Sequence, residues 1–377
     1  MLMVTVIKDI PTLSCPGETL ETMKSTENFR MEMEARSTAL VVIETSILLL
    51  ITVSTLLGNL MVCWAVYNSK TLRTVANIYI IVLAICDILM GVLCMPLSLE
   101  VFITACFKHG YNVVQFQGFF SFFLSLASLQ TMTATAVNRY LKIVKPEHHR
   151  KYCTMKATLI TILVTFVLAG SGASLPLIGG FADYMFHYGK VFSYINYYTN
   201  TAAYIYTILL KIVYITVPTL ISLFCYYKIF TTVKAHAADM ESNRGAGRGG
   251  MNVEEIRISK VLFATVLGFV LCWTPVAIID MIDTFSDYSL VSPRQIYLFY
   301  IYMGYGSSAI NPWIYGILNK SFRREFLKLL RLRFHSSPGS EGTSHVENSA
   351  MGATSAVRTA YLLKITKVSS IAPSSTT

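Results

Sequence analysis

The chain has 377 residues, of which 54% are hydrophobic and only 14% are charged, and its formal net charge is +10. Soluble domains carry about 25% charged residues, so this composition excludes an ordinary soluble fold and indicates a protein that crosses the membrane several times. The excess of basic residues is then expected to reflect membrane orientation and contact with lipids, not binding to nucleic acid.

Seven apolar segments are each long enough to cross a bilayer as a helix, which takes about 20 residues. They cover Leu40–Tyr67, Val75–Val101, Tyr111–Ile143, Ala157–Ile178, Ala203–Val233, Ile258–Ile282 and Gln295–Leu318. This pattern predicts an all-α fold, with a bundle of seven transmembrane helices at residues 40–318 after an N-terminal segment at residues 1–39. The first residues lack the features of a cleavable signal peptide, so the first helix is expected to direct membrane insertion.

Basic residues are concentrated in alternate connections of this bundle. The connections after the first, third, fifth and seventh segments contain Lys70, Arg73, Lys142, Lys145, Arg150, Lys151, Lys234, Arg244, Arg257, Lys320, Arg323 and Arg324. The opposite connections are poorer in lysine and arginine and contain Asp183, Asp283 and Asp287. Because basic connections stay in the cytosol, the N-terminus is expected outside the cell and the C-terminus inside, in a multi-pass protein of the plasma membrane.

The region after the seventh segment divides into two parts. In Asn319–Phe334, Phe322 and Phe326 recur at helical spacing among arginines and lysines. This pattern favours an amphipathic helix on the inner membrane surface over a solvated basic tail. Residues 335–377 are rich in serine and threonine and are expected to form a disordered cytoplasmic tail. Another flexible stretch, Glu241–Gly250, is expected between the fifth and sixth segments.

Polar side chains recur at similar depths in several membrane segments, where each is costly to bury. They are Asn59, Asp87, Ser128, Ser307, Ser308 and Asn311. An aspartate with neighbouring hydroxyls and amides is suited to a small hard cation such as Na⁺. The alternative is a hydrogen-bond network that only joins the helices, and these residues by themselves leave both interpretations open.

Several short motifs follow the segments in a fixed order. The first segment contains "GN", the second "LAICD", the third ends in "NRY", the fifth has a central proline, the sixth contains "CWTP" and the seventh "NPWIY". This ordered set, followed by the basic amphipathic stretch, resembles the rhodopsin-like G protein-coupled receptors over about residues 40–334. The pair "NRY" and "CWTP" is similar to the melatonin receptors, from which "NPWIY" and the cysteine pattern depart.

The resemblance implies a Na⁺ pocket and a set of switch residues, and no other cofactor. The Na⁺ pocket would consist of Asp87, Asn59, Ser128, Ser307 and Asn311. The switch beneath the ligand would consist of Phe269, Trp273 and Pro275 in the sixth segment, with Asn311 and Pro312 in the seventh. Together they would connect ligand binding to the cytosolic side of the bundle.

The resemblance also implies a cytosolic site for a heterotrimeric G protein. The residues that it assigns to this site are Asn138, Arg139, Tyr140, Tyr226, Glu255 and Tyr315. Arg139 would meet the two segment-end tyrosines, Tyr226 and Tyr315, in the active state. In the resting state Arg139 would pair with Glu255, whose alternative is a solvated position. Arrestin and receptor kinases are implied partners of the serine- and threonine-rich tail.

The chain departs from the family pattern in three features. The tryptophan usual in the middle of the fourth segment is missing, with Phe166 near its place. The family usually bonds a cysteine at the outer end of the third segment to one in the second outer loop. Val114 occupies the first position, and Leu177–Tyr204 contains no cysteine. Cys15 and Cys106 are an alternative pair. Asn138 replaces the usual aspartate before the arginine, so it cannot form an ion pair with Arg139.

The family's best-known ligand signatures are also absent. Ser121 lies where aminergic receptors have an aspartate, and Tyr305 lies where opsins have the retinal-linking lysine. Lys211 is expected to face the ligand cavity and to pair with an acidic ligand or with Asp280, the alternative being a lysine that reaches the outer interface. The expected pocket residues are Ser121, Ser125, Lys211, Tyr214, Asp280 and Tyr305, for an extracellular small molecule or peptide of unknown identity.

Other functional classes fit the sequence less well. A transporter would be expected to contain internal repeats and broken helices, and neither is evident. An integral membrane enzyme would need metal ligands or a nucleophile inside the membrane, but all seven histidines fall in loops or tails. The protein is therefore not expected to be an enzyme, and the alternatives to a signalling receptor are a transporter or a seven-helix receptor that does not signal.

Overall fold

The computed structural model describes residues 23–242, 253–285 and 293–335. Its helices are α1 (Met23–Glu34), α2 (Thr38–Asn68), α3 (Val75–Leu93), α4 (Met95–Thr104), α5 (Tyr111–Val144), α6 (Pro146–Tyr152), α7 (Met155–Ile178), α8 (Asn200–Leu209), α9 (Val217–Ser242), α10 (Val253–Phe285), α11 (Arg294–Leu318) and α12 (Lys320–His335). A π-helical turn, Leu210–Thr216, joins α8 to α9, and a hairpin of β1 (Ala182–His187) and β2 (Phe192–Tyr197) precedes α8. Residues 336–377 and most of the predicted linker lie outside the described residues.

The helices confirm the predicted all-α transmembrane bundle. Among the described residues, six helical stretches are long and apolar enough to cross a membrane, and these begin at Thr38, Val75, Tyr111, Met155, Asn200 and Ile256. The remaining long helix, α11, is less apolar because tyrosine, serine, asparagine and proline interrupt its hydrophobic sequence. Its 25 residues are nevertheless enough to span the hydrocarbon core.

Four of the helices begin at a serine or threonine whose side-chain oxygen accepts a hydrogen bond from a backbone N–H in the first turn. These capping residues are Ser37, Thr74, Thr154 and Thr199, at the starts of α2, α3, α7 and α8. Such caps satisfy amide groups that have no partner within the helix. They explain why the helices start within about three residues of the positions that the apolar pattern predicted.

Two predicted segments contain interruptions that the apolar pattern did not predict. The second segment divides into α3 and α4 because Pro96 lies in the first turn of α4, where a backbone N–H is not needed. In the fifth segment the π-helical turn precedes Pro218, which cannot donate to the carbonyl group of the preceding turn. Within that turn, Thr216 Oγ1 donates to the Lys211 carbonyl oxygen at 3.0 Å.

The central helix of the bundle is α5, which packs against α3, α7, α9 and α10. Buried apolar side chains form an outer cluster around Leu124 and Phe102 and an inner cluster around Ile229 and Val62. Trp273 on α10 packs against both clusters. The tryptophan is therefore positioned where a movement in the outer half of the bundle meets the inner half.

A buried ion cluster joins the helices at the N-terminal end of α2. Arg36 Nη1 donates to Glu44 Oε2 at 2.8 Å, and Arg294 of α11 donates to the same oxygen. The Arg36 side chain also donates to the carbonyl oxygens of Met33 at 2.7 Å and Phe102 at 2.9 Å. One carboxylate thus holds two guanidinium groups and connects α1, α2, α4 and α11.

The connection between α7 and α8 is a β-hairpin, which the sequence analysis did not predict. Its strands are antiparallel, with Ala182 opposite Tyr197 and His187 opposite Phe192. Both strands are rich in aromatic residues, and the turn between them contains Gly189. That combination is a recognised sign of a hairpin, but aromatic residues at the end of a membrane segment equally suit an interfacial position.

Side-chain hydrogen bonds hold the hairpin against α5, close to the position where the family cysteine is missing. Gln115 Nε2 donates to the Tyr184 carbonyl oxygen at 2.6 Å, and Tyr184 N donates back to Gln115 Oε1 at 3.1 Å. Gln117 Oε1 accepts from Ser193 N at 3.1 Å and from Ser193 Oγ at 2.8 Å. Because Gln117 is fully buried, these bonds are shielded from competition with water.

Cys106 lies in the outer connection between α4 and α5 and is disulfide-bonded. Its predicted partner, Cys15, lies outside the described residues, so this pairing stays a prediction. The described free cysteines are Cys63, Cys86, Cys94, Cys153, Cys225 and Cys272.

Gly118 on α5 permits the close approach of the hairpin. A Cβ atom at this position would overlap the ring of Tyr184, so we expect Gly118→Ala to lower the free energy of unfolding by about 1–3 kcal/mol. Thermal unfolding of the purified protein in detergent measures the change. Gly170→Ala is the matched control, because its added Cβ would lie 3.8 Å from Phe123 Cε2, an ordinary contact. Equal losses in the two variants would contradict the tight fit of the hairpin on α5.

Candidate functional site

A cavity of about 60 Å³ lies beneath the hairpin, among α5, the π-helical turn, α10 and α11. Five of the predicted pocket residues line it, namely Ser121, Ser125, Lys211, Asp280 and Tyr305. Tyr214 does not, because its hydroxyl lies 3.0 Å from Ser171 Oγ of α7. The volume of the cavity is well below the roughly 300–1,000 Å³ of typical small-molecule pockets. A groove of about 600 Å³ shares Lys211, Ile215 and Trp273 with this cavity, so a larger ligand either extends into that groove or requires the hairpin or the helices to move.

Two lysines and two aspartates meet at the outer edge of this cavity. Lys190 Nζ, from the hairpin turn, lies 3.0 Å from Asp280 Oδ1 and 2.9 Å from Asp283 Oδ2. Lys211 Nζ lies 2.5 Å from Asp280 Oδ2. Both carboxylates are on α10, one turn apart, so the cluster joins the hairpin to the outer ends of two membrane helices. The two ammonium groups and the two carboxylates have a net formal charge of zero.

Tyrosine side chains complete the surroundings of these charges. Tyr300 Oη donates to Asp280 Oδ1 at 2.9 Å, and Tyr297 Oη donates to Asp283 Oδ1 at 2.8 Å. The Lys190 ammonium group lies 3.6 Å from the centre of the Tyr194 ring and 4.9 Å from that of Tyr300. The lysine is therefore held by two carboxylates and by aromatic faces, although its side chain is fully buried.

The Lys211 side chain pairs with Asp280, which is one of the two partners that the sequence analysis considered. Lys190 was not predicted as a site residue, because a lysine in an outer loop is usually solvated. The available signal was its position as the one lysine in an aromatic-rich loop. Asp283 was likewise regarded as a loop residue, whereas the structure places it within α10.

The neighbouring imidazole contributes no charge to this cluster. Burial and the adjacent Lys190 ammonium lower the pKa of His187 to about 3, so the ring is neutral at physiological pH. Lys190 N donates to His187 Nδ1 at 3.1 Å, which places the ring proton on the other nitrogen. The hairpin therefore brings a single positive charge, that of Lys190, to the two carboxylates.

A second, smaller cavity of about 10 Å³ lies below the first, around Asp87. Ser128, Ser307 and Asn311 line it with Asp87, as the resemblance implied. Asn311 Nδ2 donates to Asp87 Oδ2 at 3.0 Å, while Asn311 Oδ1 has no hydrogen-bond partner within the described part of the chain. Asn59 is adjacent, donating to the Ser308 carbonyl oxygen at 3.1 Å. A carboxylate, hydroxyls and a spare amide oxygen are the donor set that fits Na⁺.

The predicted switch residues lie between these two cavities. The rings of Phe269 and Trp273 are stacked, with centroids 5.5 Å apart. Trp273 Nε1 donates to Ser307 Oγ at 3.0 Å, and Trp273 also lines the outer cavity. Pro275 and Pro312 interrupt the hydrogen-bond ladders of α10 and α11 beside this contact. The arrangement connects the outer cavity directly to the Asp87 cavity.

At the opposite end of the bundle, Arg139 lines a cavity of about 520 Å³. The other charged residues that line it are Lys142, Arg257, Lys320, Arg324 and Glu325. Arg139 and Asn138 are both buried, and the ring of Tyr140 lies 6.3 Å from that of Phe224 on α9. This basic opening is much wider than the cavity beneath the hairpin and the Asp87 cavity. The backbone of Glu255 belongs to α10, but its side chain lies outside the described residues, so its pairing with Arg139 stays a prediction.

Tyr226 and Tyr315 lie one layer above Arg139, where both line a cavity of about 10 Å³. Both side chains are buried, and Tyr226 Oη has no hydrogen-bond partner among the described residues. Tyr315 stacks on Phe322 of α12, with ring centroids 5.4 Å apart. Phe322 and Phe326 are the buried face of this amphipathic helix, so α12 supports the end of α11.

The comparisons with known proteins agree on one family. The family described as "7 transmembrane receptor (rhodopsin family)" matches residues 58–315, more than half of the chain. The melatonin receptor type 1B-B of Danio rerio is 25% identical over 298 residues, covering 78% of this chain and 84% of the relative. The melatonin receptor type 1A of Phodopus sungorus is 28% identical, with coverages of 75% and 79%. The human 5-hydroxytryptamine receptor 4 is 27% identical, with coverages of 73% and 76%.

Proposed function

Because the chain belongs to the rhodopsin family of seven-transmembrane receptors, we propose that it couples an extracellular ligand to a heterotrimeric G protein. The observation that carries this proposal is the pair of openings at opposite ends of the bundle. An outer cavity holds Lys211 and Asp280, and a much wider inner cavity holds the buried Arg139. In the proposed orientation the N-terminus is outside the plasma membrane and the inner cavity faces the cytosol.

The contacts between the cavities support a path for the signal. A ligand that enters the outer cavity meets Trp273, whose indole nitrogen is bonded to Ser307. A shift of Trp273 bends α10 at Pro275, two residues further along the helix, and moves the inner end of that helix away from α5. The inner cavity then widens around Arg139 and admits a helix of the G protein, while Tyr226 and Tyr315 turn towards the arginine.

Na⁺ is proposed to stabilise the resting arrangement. The ion would be held by Asp87, Ser128, Ser307 and Asn311, and it would supply positive charge to the buried carboxylate. Bound there, it favours the conformation in which Ser307 stays near Trp273 and Asn311 stays near Asp87. Arrestin and receptor kinases are further proposed partners, acting at the serine- and threonine-rich residues 335–377.

The ligand is not assigned to either class named by the relatives. The relatives are named for melatonin and for 5-hydroxytryptamine. This chain has Ser121 where aminergic receptors place an aspartate, and the carboxylates near its outer cavity are already paired with Lys190 and Lys211. An incoming ligand must therefore replace existing charge pairs or bind beside them.

G protein activation by the wild-type receptor and by Arg139→Ala tests the proposal. With a panel of G proteins and candidate ligands, we expect the wild type to activate at least one G protein and Arg139→Ala to fall to the background of cells without receptor. Arg150→Ala is the matched control, because Arg150 is an exposed arginine on the proposed cytosolic side and pairs with the exposed Glu147.

Two outcomes would contradict this function, provided that each protein reaches the cell surface. One is a wild-type receptor that activates no G protein in the panel, which would favour a seven-helix receptor that does not signal. The other is full activity in Arg139→Ala, which would remove the arginine from the coupling site.

A further inference from the structure

Lys190 is the least expected charge in the outer half of the molecule. It lies in the turn of the hairpin, yet its side chain has no exposed surface. A lysine side chain has four rotatable bonds and a strongly hydrated ammonium group, so burying it is costly unless the site is built to receive it. The surroundings of the ammonium group therefore need an explanation of their own.

Those surroundings have the composition of a site for an organic ammonium ion. The residues are Asp280, Asp283, Tyr194, Tyr297 and Tyr300, here called the ammonium cage. Carboxylates neutralise the charge and accept its hydrogen bonds, while the faces of aromatic rings attract a cation within about 6 Å of their centres. The two tyrosine hydroxyls that donate to the carboxylates fix the orientation of both acceptors.

We propose that the ammonium cage is a binding site for primary ammonium groups and that the chain fills it with Lys190, a tethered ligand. This inference rests on the proposed receptor function, because Lys190 can be called a ligand only if the protein is a receptor. The hairpin carries the ammonium group into the outer end of the helix bundle, next to a cavity that contains Trp273. It thus occupies the place from which a diffusible amine would act.

Charge determines what the cage accepts when Lys190 is removed. The four side chains Lys190, Lys211, Asp280 and Asp283 balance, so loss of the Lys190 ammonium leaves one uncompensated negative charge. Lys211 is already bonded to Asp280 Oδ2. The emptied site therefore favours a cation and disfavours neutral or anionic molecules of the same size.

Because Lys190 is tethered to the chain, the wild-type protein is expected not to bind small amines in the ammonium cage. A group held on a short connection has an effective concentration of about millimolar or higher at its site. An external amine must exceed that concentration or bind more tightly than Lys190 does. Once the tether is cut, even a weak amine can enter.

Chemical rescue tests the proposal. Lys190→Ala removes the atoms from Cγ to Nζ, which are the four heavy atoms of n-propylammonium. We expect Lys190→Ala to have a lower Tm than wild type, and n-propylammonium chloride to raise the variant's Tm saturably by about 2–4 °C. 1-Propanol, with the same number of heavy atoms and no charge, should give no rise, and sodium chloride provides the match in ionic strength.

The matched control is Lys108→Ala, which removes an exposed lysine in the connection before α5. We expect n-propylammonium to leave the Tm of this variant and of wild type unchanged. An equal rise in all three proteins, or none in Lys190→Ala, would overturn the proposal. The Tm measurement does not depend on signalling. If the receptor activates no G protein, the proposed function fails, but the test of the ammonium cage is unaffected.

A second variant covers the case in which Lys190→Ala does not fold. Lys190→Ala combined with Asp283→Asn removes one positive and one negative charge, so the cage is again balanced. We expect this double variant to reach the cell surface in larger amounts than Lys190→Ala. A double variant no more abundant than the single one would contradict the charge matching on which the cage depends.

Discussion

Asp280→Asn is expected to lower the free energy of unfolding by about 3–5 kcal/mol, the usual cost of leaving a buried charge without its partner. Asp280 accepts from Lys190, Lys211 and Tyr300. An asparagine keeps the shape but leaves the ammonium groups of Lys190 and Lys211 with one carboxylate in the cluster, that of Asp283, which contacts Lys190. The surplus positive charge is in a nearly closed site, where solvent cannot compensate it.

The unfolding of purified protein in detergent measures this loss, with the exposure of buried cysteines such as Cys86 and Cys94 to a thiol-reactive dye as the signal. Asp183→Asn makes the same chemical change in the partly exposed first strand of the hairpin, where the carboxylate accepts from Asn196 at 3.1 Å. It should cost less than about 1 kcal/mol. If Asp183→Asn destabilised the protein as much as Asp280→Asn, the charge cluster would not be the cause.

Glu44→Gln is expected to have an effect of similar size, about 3–5 kcal/mol, at the other ion cluster. The Glu44 carboxylate holds the guanidinium groups of Arg36 and Arg294, whose side chains are only 3% and 10% exposed. A neutral glutamine leaves two like charges close together. Because Arg36 also bonds to the Phe102 carbonyl oxygen, the change should loosen α4 as well as α11.

The same dye assay measures the effect, with Glu34→Gln as its control. Glu34 pairs with Arg30 at 3.1 Å on the half-exposed surface of α1, so its loss should cost about 0.5 kcal/mol or less. A Glu44→Gln variant as stable as Glu34→Gln would mean that the buried arginines find other acceptors.

The membrane helices could be predicted because a bilayer imposes a simple rule of length and apolarity on each of them. That rule located α5 and α7 to within two residues of their observed ends. It missed the break at Cys94 and the π-helical turn, since both depend on how a proline rearranges a few backbone bonds. It also gave no information about α1 or the hairpin, which are too short to carry a membrane signal.

Polar contacts could be predicted where the residues lie inside apolar membrane segments, but not where they lie in loops. Asp87 and Asn311 were singled out because a polar residue inside an apolar segment needs a partner, and they are 3.0 Å apart. Lys190 and Asp280 are 90 positions apart in sequence. Nothing in a single sequence pairs such residues, and a loop lysine is solvated in most proteins.

The hydrogen bonds from Gln115 and Gln117 to the hairpin have a consequence for the kinetics of ligand entry. A disulfide would keep the hairpin close to α5 until a reductant cut it, but neither α5 nor the hairpin contains a cysteine. Here the attachment can open and close thermally, as local unfolding events do. The frequency of that opening then sets an upper limit on the association rate of any ligand that enters from outside.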